Sequence, residues 1–191
     1  MEYLTIPGNL NEYFVLFHGT GGNEYNRLEQ AGDIDPYASI ISFLGDEGTG
    51  KQRRYFEPLE NGSLNREDFD AKVTAFLELW DSIKPKNATS TFLGHSNGAN
   101  FILGILEQRP DIANQVILLH PSNLNYQFSQ GSTTRIFLTI GATDTLSIPA
   151  DGLRLAKQLK EVFPNTESLL LDTGHEITVA EIEKVKEFLG K

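Results

Sequence analysis

The sequence predicts an α/β domain in which a mostly parallel sheet carries helices on both faces. Short, nearly continuous apolar runs alternate along the chain with segments of helical periodicity, and such runs are typical of parallel strands that are buried on both faces. Strands that alternate with helices favour a doubly covered parallel sheet. The length of 191 residues fits one domain, which we expect to span residues 1–191.

Six strands are predicted from the apolar runs. They cover residues 13–17, 38–44, 89–93, 116–119, 136–140 and 168–171. Two stretches that follow strands, 45–63 and 121–134, lack a regular pattern and are predicted to be loops. Because the active sites of parallel sheets lie beyond the carboxyl ends of the strands, we expect both loops to border the functional site.

Helices are predicted between these strands. The clearest one carries apolar residues three and four positions apart across 69–80, with Asn65 as its N-cap. A second helix follows Gly98, a third occupies 153–162, and the last opens with a capping box at 178–181. The order of strands and helices therefore fits the predicted α/β architecture.

Charge and cysteine content exclude several classes of function. The chain has 16 basic and 26 acidic residues, a net charge of −10, which argues against nucleic acid or an anionic membrane as a partner. It has no cysteine, so disulfides, zinc–thiolate sites and a cysteine nucleophile are excluded. We see no signal peptide and no apolar stretch long enough to span a membrane, and we expect a cytoplasmic protein.

Residues 94–98 read Gly-His-Ser-Asn-Gly and match the G-x-S-x-G pattern of a nucleophile elbow. The pattern lies between a predicted strand and a predicted helix, which is the context that this turn requires. Such a turn should hold Ser96 in a strained backbone conformation and direct the helix N-terminus at a developing anion. Ser96 is therefore the predicted nucleophile. The alternative is an ordinary turn in which Ser96 caps the helix.

A serine nucleophile needs a general base, and the base needs an acid to orient it. His175 follows the last predicted strand and is the predicted base, with His120 as the alternative. Asp144 comes directly after the strand at 136–140 and is the predicted acid, with Asp172 as the alternative. The chain order Ser, Asp, His fits a hydrolase built on this type of sheet.

The glycine-rich segment 18–22, His-Gly-Thr-Gly-Gly, ends the first predicted strand. One oxyanion-hole amide belongs in such a loop and the other on the residue after the nucleophile. This assigns the backbone N–H groups of Thr20 and Asn97, while His18 is interpreted as a structural residue that braces the loop. The alternative is an ordinary glycine-rich turn.

A second glycine-rich stretch, 45–51, fits the G-x-x-x-x-G-K pattern of phosphate-binding loops. The next residue is Gln52, so the hydroxyl that would hold Mg²⁺ is missing, and Asp46 and Glu47 would repel phosphate. Nucleotide binding is therefore not expected.

The stretches that carry these residues resemble small α/β-hydrolases of the carboxylesterase and phospholipase type, related to the acyl-protein thioesterases. The stretches are 16–24 (LFHGTGGNE), 94–100 (GHSNGAN), 141–144 (GATD) and 174–176 (GHE). More narrowly, the chain is similar to bacterial carboxylesterases of the hydroquinone-resistance type. The resemblance implies a serine esterase with Ser96, Asp144 and His175 as its triad, no cofactor or metal, and a possible homodimer. The short segment before the first predicted strand implies reduced N-terminal strands.

The segment after the second predicted strand supplies candidate substrate contacts. Arg53 and Arg54 could meet a polar or anionic part of the substrate, or form a solvated or paired surface couple, and Tyr55 and Phe56 could form an apolar wall. His120 is a further candidate contact.

Together these residues predict a carboxylesterase that cleaves small carboxylic esters through an acyl-enzyme. A thioesterase or lysophospholipase would use the same triad, and a non-catalytic ligand-binding protein is a further alternative. The loop at 121–134 is too short for a cap domain. We therefore expect an open site and a preference for short acyl chains, because each buried CH₂ contributes only about 0.8 kcal/mol.

Overall fold

The computed structural model describes residues 1–8 and 11–191, and within these residues it contains a seven-stranded sheet. The strands are β1 (Glu2–Ile6), β2 (Glu12–Phe17), β3 (Ser39–Leu44), β4 (Thr89–His95), β5 (Gln115–Leu119), β6 (Arg135–Gly141) and β7 (Thr166–Leu171). Their order across the sheet is β1-β3-β2-β4-β5-β6-β7. β1 runs antiparallel to β3, and the other neighbouring strands run parallel.

Helices cover both faces of the sheet. The helices are α1 (Leu28–Ile34), α2 (Arg66–Ile83), α3 (Asn97–Gln108), α4 (Pro149–Val162) and α5 (Val179–Leu189), with a short 3₁₀-helix at Gly50–Gln52. Buried residues of α2, α3 and α4 share one apolar cluster, whereas those of α1 and α5 share another. This is the doubly covered sheet that the alternating pattern predicts.

The two apolar clusters follow the two-residue period of the strands. In β2, Phe14 and Leu16 join the cluster of α1 and α5, while Val15 and Phe17 join the cluster of α2, α3 and α4. All four side chains are at most 3% exposed. A strand that is buried on both faces shows an apolar run rather than alternation, which is why these strands could be located in the sequence.

The structure confirms the predicted fold class and several local details. Each of the six predicted strands is present, with bounds that differ by one to two residues at most ends. The Asn65 side chain accepts a hydrogen bond from the Asp68 backbone N–H at the start of α2. Thr178 and Glu181 form both hydrogen bonds of the capping box that opens α5.

Two elements were not predicted as such. β1 lies at the edge of the sheet and is largely exposed, so its sequence lacks the apolar run of a central strand. It corresponds to the reduced N-terminal strands that the resemblance implies. α1 is only seven residues long, starts at Arg27 without a side-chain cap, and contains Gly32, so it lacks the usual signals of a helix start and interior.

The two predicted loops border the carboxyl edge of the sheet. Residues 121–134, all of which the structure describes, contain neither helix nor strand, as expected for a chain without a cap domain. Residues 45–63 contain the 3₁₀-helix and two isolated bridges, Glu47–Arg54 and Glu60–Ser63. Among the described residues, no helix combines the length and the apolar character needed to cross a membrane.

Candidate active site

The turn between β4 and α3 has the geometry of a nucleophile elbow. Ser96 lies between these elements with φ 52° and ψ −115°, a region that side chains other than glycine rarely occupy. Its backbone N–H donates to the carbonyl of Leu119 at 2.9 Å, at the end of β5. The predicted strain at Ser96 is therefore confirmed, and the hydroxyl is directed away from the sheet into a cleft.

The two glycines of the motif are required by close packing. A Cβ atom on Gly98 would lie 2.5 Å from the carbonyl oxygen of Phe17 on β2. A Cβ atom on Gly94 would lie 2.7 Å from the carbonyl carbon of Gly98. These separations are too short for any larger residue, so the glycines allow α3 to start directly against the strands.

The structure brings Ser96, His175 and Asp144 into one hydrogen-bonded chain. His175 Nε2 lies 2.8 Å from Ser96 Oγ, and His175 Nδ1 lies 2.7 Å from Asp144 Oδ2. Because the carboxylate can only accept, Nδ1–H donates to Asp144 and Nε2 is left to accept the Ser96 proton. This is the arrangement that a base-activated serine requires.

Asp144 is kept in its ionised form by the hydrogen-bond donors around it. Burial alone would raise the pKa of Asp144, but the Ser147 N–H, His175 and the Leu146 N–H hold that pKa below its usual value. The two backbone N–H groups each donate to Asp144 Oδ1 at 2.8 Å. A buried carboxylate with these donors keeps its charge at neutral pH and can fix the orientation of the His175 ring.

The alternative base and acid lie elsewhere. His120 is buried, and its Nε2 lies 3.2 Å from Glu181 Oε2 rather than near Ser96. Asp172 is exposed, and the carboxylate that meets His175 is that of Asp144. The geometry therefore favours the first choice from the sequence at both positions.

The predicted oxyanion-hole residues border the same cleft. Thr20 lines a cleft of about 320 Å³ together with Ser96, His175 and Leu146. Asn97 is the first residue of α3, so its N–H points out of the helix N-terminus. Among the described residues, neither amide donates a backbone hydrogen bond to another protein group. Both are thus available to an anion that forms beside Ser96.

A larger groove lies at the opposite, amino edge of the sheet. It measures about 470 Å³ and is lined by residues such as Trp80, Asn114 and Arg135. It contains none of the predicted site residues. Chemistry rather than size therefore identifies the smaller cleft as the candidate site.

His18 braces the loop that carries Thr20, as interpreted from the sequence. Its Nδ1–H donates to the Gly19 carbonyl at 2.7 Å, and its Nε2 accepts from the Gly45 N–H at 3.0 Å. Burial lowers the pKa of His18, in keeping with a neutral ring that donates once and accepts once. His18 thereby joins the loops after β2 and β3.

The structure corrects the expected roles of Tyr55, Phe56 and His120. Tyr55 and Phe56 are 0% and 1% exposed and belong to the core, so they form no wall of the cleft. The Tyr55 hydroxyl donates to the Phe43 carbonyl at 2.9 Å, and its N–H donates to Asn97 Oδ1 at 2.9 Å. His120 is 1% exposed and has no access to a substrate.

The two adjacent arginines have different surroundings. The Arg53 guanidinium donates to the Gly45 carbonyl at 2.9 Å, which is an internal contact of the loop. Arg54 Nη2 lies 3.4 Å from Thr20 Oγ1, at the margin of the cleft. Of the four candidate contacts from this segment, Arg54 is the one whose side chain the described structure places in hydrogen-bond contact with a cleft residue.

Sequence reasoning missed four residues near the site. Arg27 and Leu146 line the cleft, and His95 Nε2 donates to the His175 carbonyl at 3.0 Å. Glu181 is 0% exposed and contacts His120. Leu146 follows Asp144 closely and could have been proposed from that position. The tertiary contacts of the others leave no signal in the local sequence.

The nitrogens of His120 and His175 and a carboxylate oxygen of Asp144 lie within 4.8 Å of one another, a spacing that a metal ion could use. The Asp144–His175 separation of 2.7 Å is that of a hydrogen bond. His120 also faces Glu181. These contacts fit a hydrogen-bonded network, and the absence of a metal stays a prediction.

Known proteins resemble this chain over nearly its full length. No protein-family model matches it. The putative hydrolase MhqD of Bacillus subtilis (strain 168) is 27% identical over 197 aligned residues, which cover 98% of this chain and 97% of that protein. The similarity therefore spans nearly the full length of both chains.

Solved structures agree with this similarity. The Bacillus cereus carboxylesterase has a TM-score of 0.89 at 26% identity and covers 100% of this chain and 93% of its own. The protein Atu2452 of unknown function from Agrobacterium tumefaciens has a TM-score of 0.88 at 26% identity, with coverage of 98% and 94%. The acyl-protein thioesterase 2 of Zea mays shares the fold, with a TM-score of 0.81 at 18% identity and coverage of 99% and 97%.

The packing at the elbow predicts that Gly98→Ala is strongly destabilising. The new methyl group would have to displace the backbone of β2 or α3, since its nearest neighbours are the carbonyl oxygens of Phe17 and His18 at 2.5 and 2.6 Å. We expect a loss of at least about 2 kcal/mol in the free energy of unfolding. Urea denaturation of wild type and variant measures the difference.

Gly32→Ala is the matched control, because a Cβ atom at this helical position would have nothing within 4 Å. It should raise the free energy of unfolding by about 0.5–1 kcal/mol. Equal effects of the two substitutions would show that the elbow tolerates a side chain at Gly98.

Proposed function

We propose that this chain, an α/β-hydrolase homologous to the putative hydrolase MhqD, is a serine carboxylesterase that cleaves small carboxylic esters. The observation that carries the proposal is the continuous chain of hydrogen bonds from Ser96 through His175 to Asp144. A protein that only binds a ligand does not need a histidine base 2.8 Å from the hydroxyl of a serine whose backbone is strained.

In the first half of the proposed reaction, Ser96 Oγ attacks the ester carbonyl carbon while its proton passes to His175 Nε2. The carbonyl oxygen becomes an oxyanion, which the Thr20 and Asn97 N–H groups stabilise. Loss of one such donor typically costs about 3–4 kcal/mol of the activation free energy. The tetrahedral intermediate then expels the alcohol, which takes the proton from His175, and an acyl-enzyme remains on Ser96.

In the second half, a water molecule takes the place of the alcohol. His175 Nε2 removes a proton from the water as its oxygen attacks the acyl carbon, and it returns that proton to Ser96 Oγ as the acid product leaves. Asp144 stays ionised throughout, keeps the His175 Nδ1–H in place, and stabilises the imidazolium that forms in each half. Asp144 therefore places a negative charge beside His175, which becomes positively charged in the transition states.

Ser96→Ala should lower kcat for p-nitrophenyl butyrate by about 10³-fold or more, because it removes the nucleophile. The fold should be unchanged, since alanine can occupy the same turn with one atom fewer. Initial rates by absorbance, with circular dichroism as the folding check, measure both effects.

Ser122→Ala is the matched control. Its hydroxyl lies at the same edge of the sheet and contacts Ser147 Oγ at 2.9 Å rather than His175, so activity should stay within a few-fold of wild type. A Ser96→Ala protein that keeps more than about a hundredth of wild-type kcat would refute the assigned nucleophile.

The open cleft predicts a preference for short acyl chains. Residues 121–134 form no lid, and the cleft of about 320 Å³ is lined mainly by short or polar residues, with Leu146 as its apolar contribution. Because each buried CH₂ adds about 0.8 kcal/mol only where apolar surface covers it, kcat/KM should be highest for acetyl to butyryl esters.

A series of p-nitrophenyl esters from acetate to decanoate, with matched thioesters, measures this preference. Values of kcat/KM that rise steadily to the longest chain would point to an acyl groove and to lipid-like substrates. A uniform excess for thioesters would instead indicate a thioesterase with the same triad.

A further inference from the structure

The candidate cleft is basic although the chain is acidic. The described residues that line it include Arg27 and no aspartate or glutamate. The chain as a whole has a net charge of −10. A cleft whose charge opposes that of its protein concentrates anionic ligands and disfavours cationic ones.

Arg27 and Arg54 have no carboxylate partner among the described residues, a feature that they share with Arg53 and Arg135, which donate to backbone carbonyls. Arg66, Arg109 and Arg154 each pair with an aspartate or glutamate. By contrast, the Nε atoms of Arg27 and Arg54 are buried and have no hydrogen-bond partner among the described residues. Buried polar groups are nearly always satisfied, so an arginine at a cleft whose Nε has no protein partner is available to an anionic ligand.

The two arginines flank the loop that carries Thr20. Arg27 lines the cleft itself, and Arg54 Nη2 reaches Thr20 Oγ1 at 3.4 Å from the other loop. Burial lowers the pKa of both side chains without removing their charge at neutral pH. A positive field therefore surrounds the position at which an ester would meet Ser96.

We propose that Arg27, assisted by Arg54, binds an anionic group on the substrate, so that the preferred substrates are short esters that carry a carboxylate or a phosphate. The inference rests on the proposed esterase function and adds the class of substrate. A planar guanidinium donates two parallel hydrogen bonds to the oxygens of either group, and this geometry gives selectivity as well as affinity.

The experiment compares three short esters that differ in one group. Monomethyl glutarate carries a carboxylate, methyl glutaramate replaces it with a neutral amide of the same shape, and methyl 4-(phosphonooxy)butanoate carries a phosphate at the same end of the acyl chain. In wild type, kcat/KM should be at least tenfold higher for one of the anionic esters than for the amide, and the better of the two identifies the anion.

Arg27→Met should lower that ratio about tenfold or more, because the anionic esters lose an ionic contact that the amide never makes. Arg27→Lys, which keeps the charge but loses the planar fork, should fall between. Arg109→Met is the matched control: it removes the same charge beyond the far end of α3, where Arg109 pairs with Asp81, and the ratio should not change.

Calorimetric titration of monomethyl glutarate and of the phosphate ester into Ser96→Ala protein, with and without Arg27→Met, measures binding in the absence of turnover. An anionic ester that binds more tightly to the Ser96→Ala protein than to the protein that also carries Arg27→Met supports the inference, even if Ser96 is not the nucleophile. A wild type that prefers the neutral amide, or an Arg27→Met variant with an unchanged ratio, would overturn it.

His120 lies beneath Asp144 and faces a buried carboxylate on each side. Its Nε2 is 3.2 Å from Glu181 Oε2, and its Nδ1 is 3.5 Å from Asp144 Oδ2, an ion-pair distance at which Nδ1 has no hydrogen-bond partner among the described residues. The side chains of all three residues are 0% exposed. A neutral imidazole has one N–H, so it could donate to one carboxylate only and would present a lone pair to the other.

We infer that His120 is a buried imidazolium that bridges Asp144 and Glu181 and thereby positions Asp144. An imidazolium donates to Glu181 from Nε2 and presents a charged Nδ1–H to Asp144 at ion-pair distance, and it offsets one of the two negative charges. Glu181 also closes the capping box of α5 through its contact with the Thr178 N–H. The bridge thus ties α5 to the acid of the site.

The carboxylates that face His120 from three elements support this protonation state. Burial opposes the charge, but Glu181 on α5, Asp144 after β6 and Glu176 after β7 together raise the pKa of His120. The His175 ring, 5.7 Å away, and the His95 ring, 6.0 Å away, are the facing titratable groups that would oppose it. Burial lowers the pKa of His95 to about 4, so His95 is neutral and adds no repulsion at neutral pH.

The charge on His120 also acts on Asp144. It stabilises the ionised carboxylate that holds the His175 Nδ1–H in place, so loss of the charge should slow the reaction at Ser96.

Nitrogen-15 NMR of the imidazole rings tests the protonation state directly, because the chain has only four histidines. In wild-type protein at pH 7, both His120 nitrogens should show the shifts of a protonated ring. Glu181→Gln keeps the shape of the side chain and a capping amide but removes its charge, so the His120 ring should become neutral at pH 7.

Glu183→Gln, on the exposed face of the same helix and paired with Lys186 at 3.2 Å, is the matched control and should leave His120 charged. The rate at which a fluorophosphonate labels Ser96 at pH 7 should fall several-fold in Glu181→Gln and stay at the wild-type value in Glu183→Gln. A neutral His120 in wild type would overturn the inference, as would an unchanged labelling rate in Glu181→Gln. The nitrogen-15 spectrum of the wild-type protein tests the protonation state of His120 even if Glu181→Gln does not fold.

Discussion

The backbone of Ser96, held at φ 52° between β4 and α3, is the constraint on which the rest of the site depends. Such a conformation costs about 1–3 kcal/mol and persists only where its surroundings fix it. Here the surroundings are the close approach of Gly94 and Gly98 to the neighbouring backbone and the Ser96 N–H bond to Leu119. The turn raises the hydroxyl above the sheet and starts α3 at the same point.

Residues outside the cleft hold this turn in place. Tyr55 was expected to contact substrate, yet its N–H binds Asn97 Oδ1 and its ring stacks on Phe101 of α3 at 5.1 Å. Its hydroxyl accepts a hydrogen bond from the His18 N–H and donates one to the Phe43 carbonyl. The ends of β2 and β3 and the start of α3 therefore meet at this one buried side chain. The segment that resembles a substrate-binding element in the sequence therefore stabilises the start of α3, and Arg54 is its contribution to the cleft margin.

The distribution of charge separates the site from the rest of the molecule. The excess of acidic residues, 26 against 16 basic ones, lies mostly on exposed surfaces. Asp144 and Glu181 are buried beneath the cleft around His120, while the cleft itself carries Arg27. A negative group below His175 and positive groups beside the oxyanion position suit a reaction in which His175 becomes positive and the carbonyl oxygen becomes negative.

The sequence predicted those parts of the protein that depend on interactions between residues close together in the chain. The central strands have apolar runs, Asn65 and Thr178 have the chemistry of helix caps, and the glycines at 94 and 98 mark a turn that no larger residue permits. Contacts between distant segments left no such signal. His120 and Glu181 are 61 positions apart. Arg27 follows the loop at 18–22 closely and lines the cleft, but no motif marks it as a cleft residue. Tyr55 is an aromatic residue in a loop, and its burial depends on the tertiary packing of three elements.

The most direct test of the account is covalent trapping of Ser96 by an alkyl fluorophosphonate, followed by intact-mass and peptide mass spectrometry. The account predicts one adduct per chain, located on Ser96, that forms rapidly in wild type. Its formation should be slowed by orders of magnitude in His175→Ala, because the hydroxyl then has no base. An adduct on another serine, or labelling of Ser96 at an unchanged rate without His175, would contradict the proposed nucleophile and its activation.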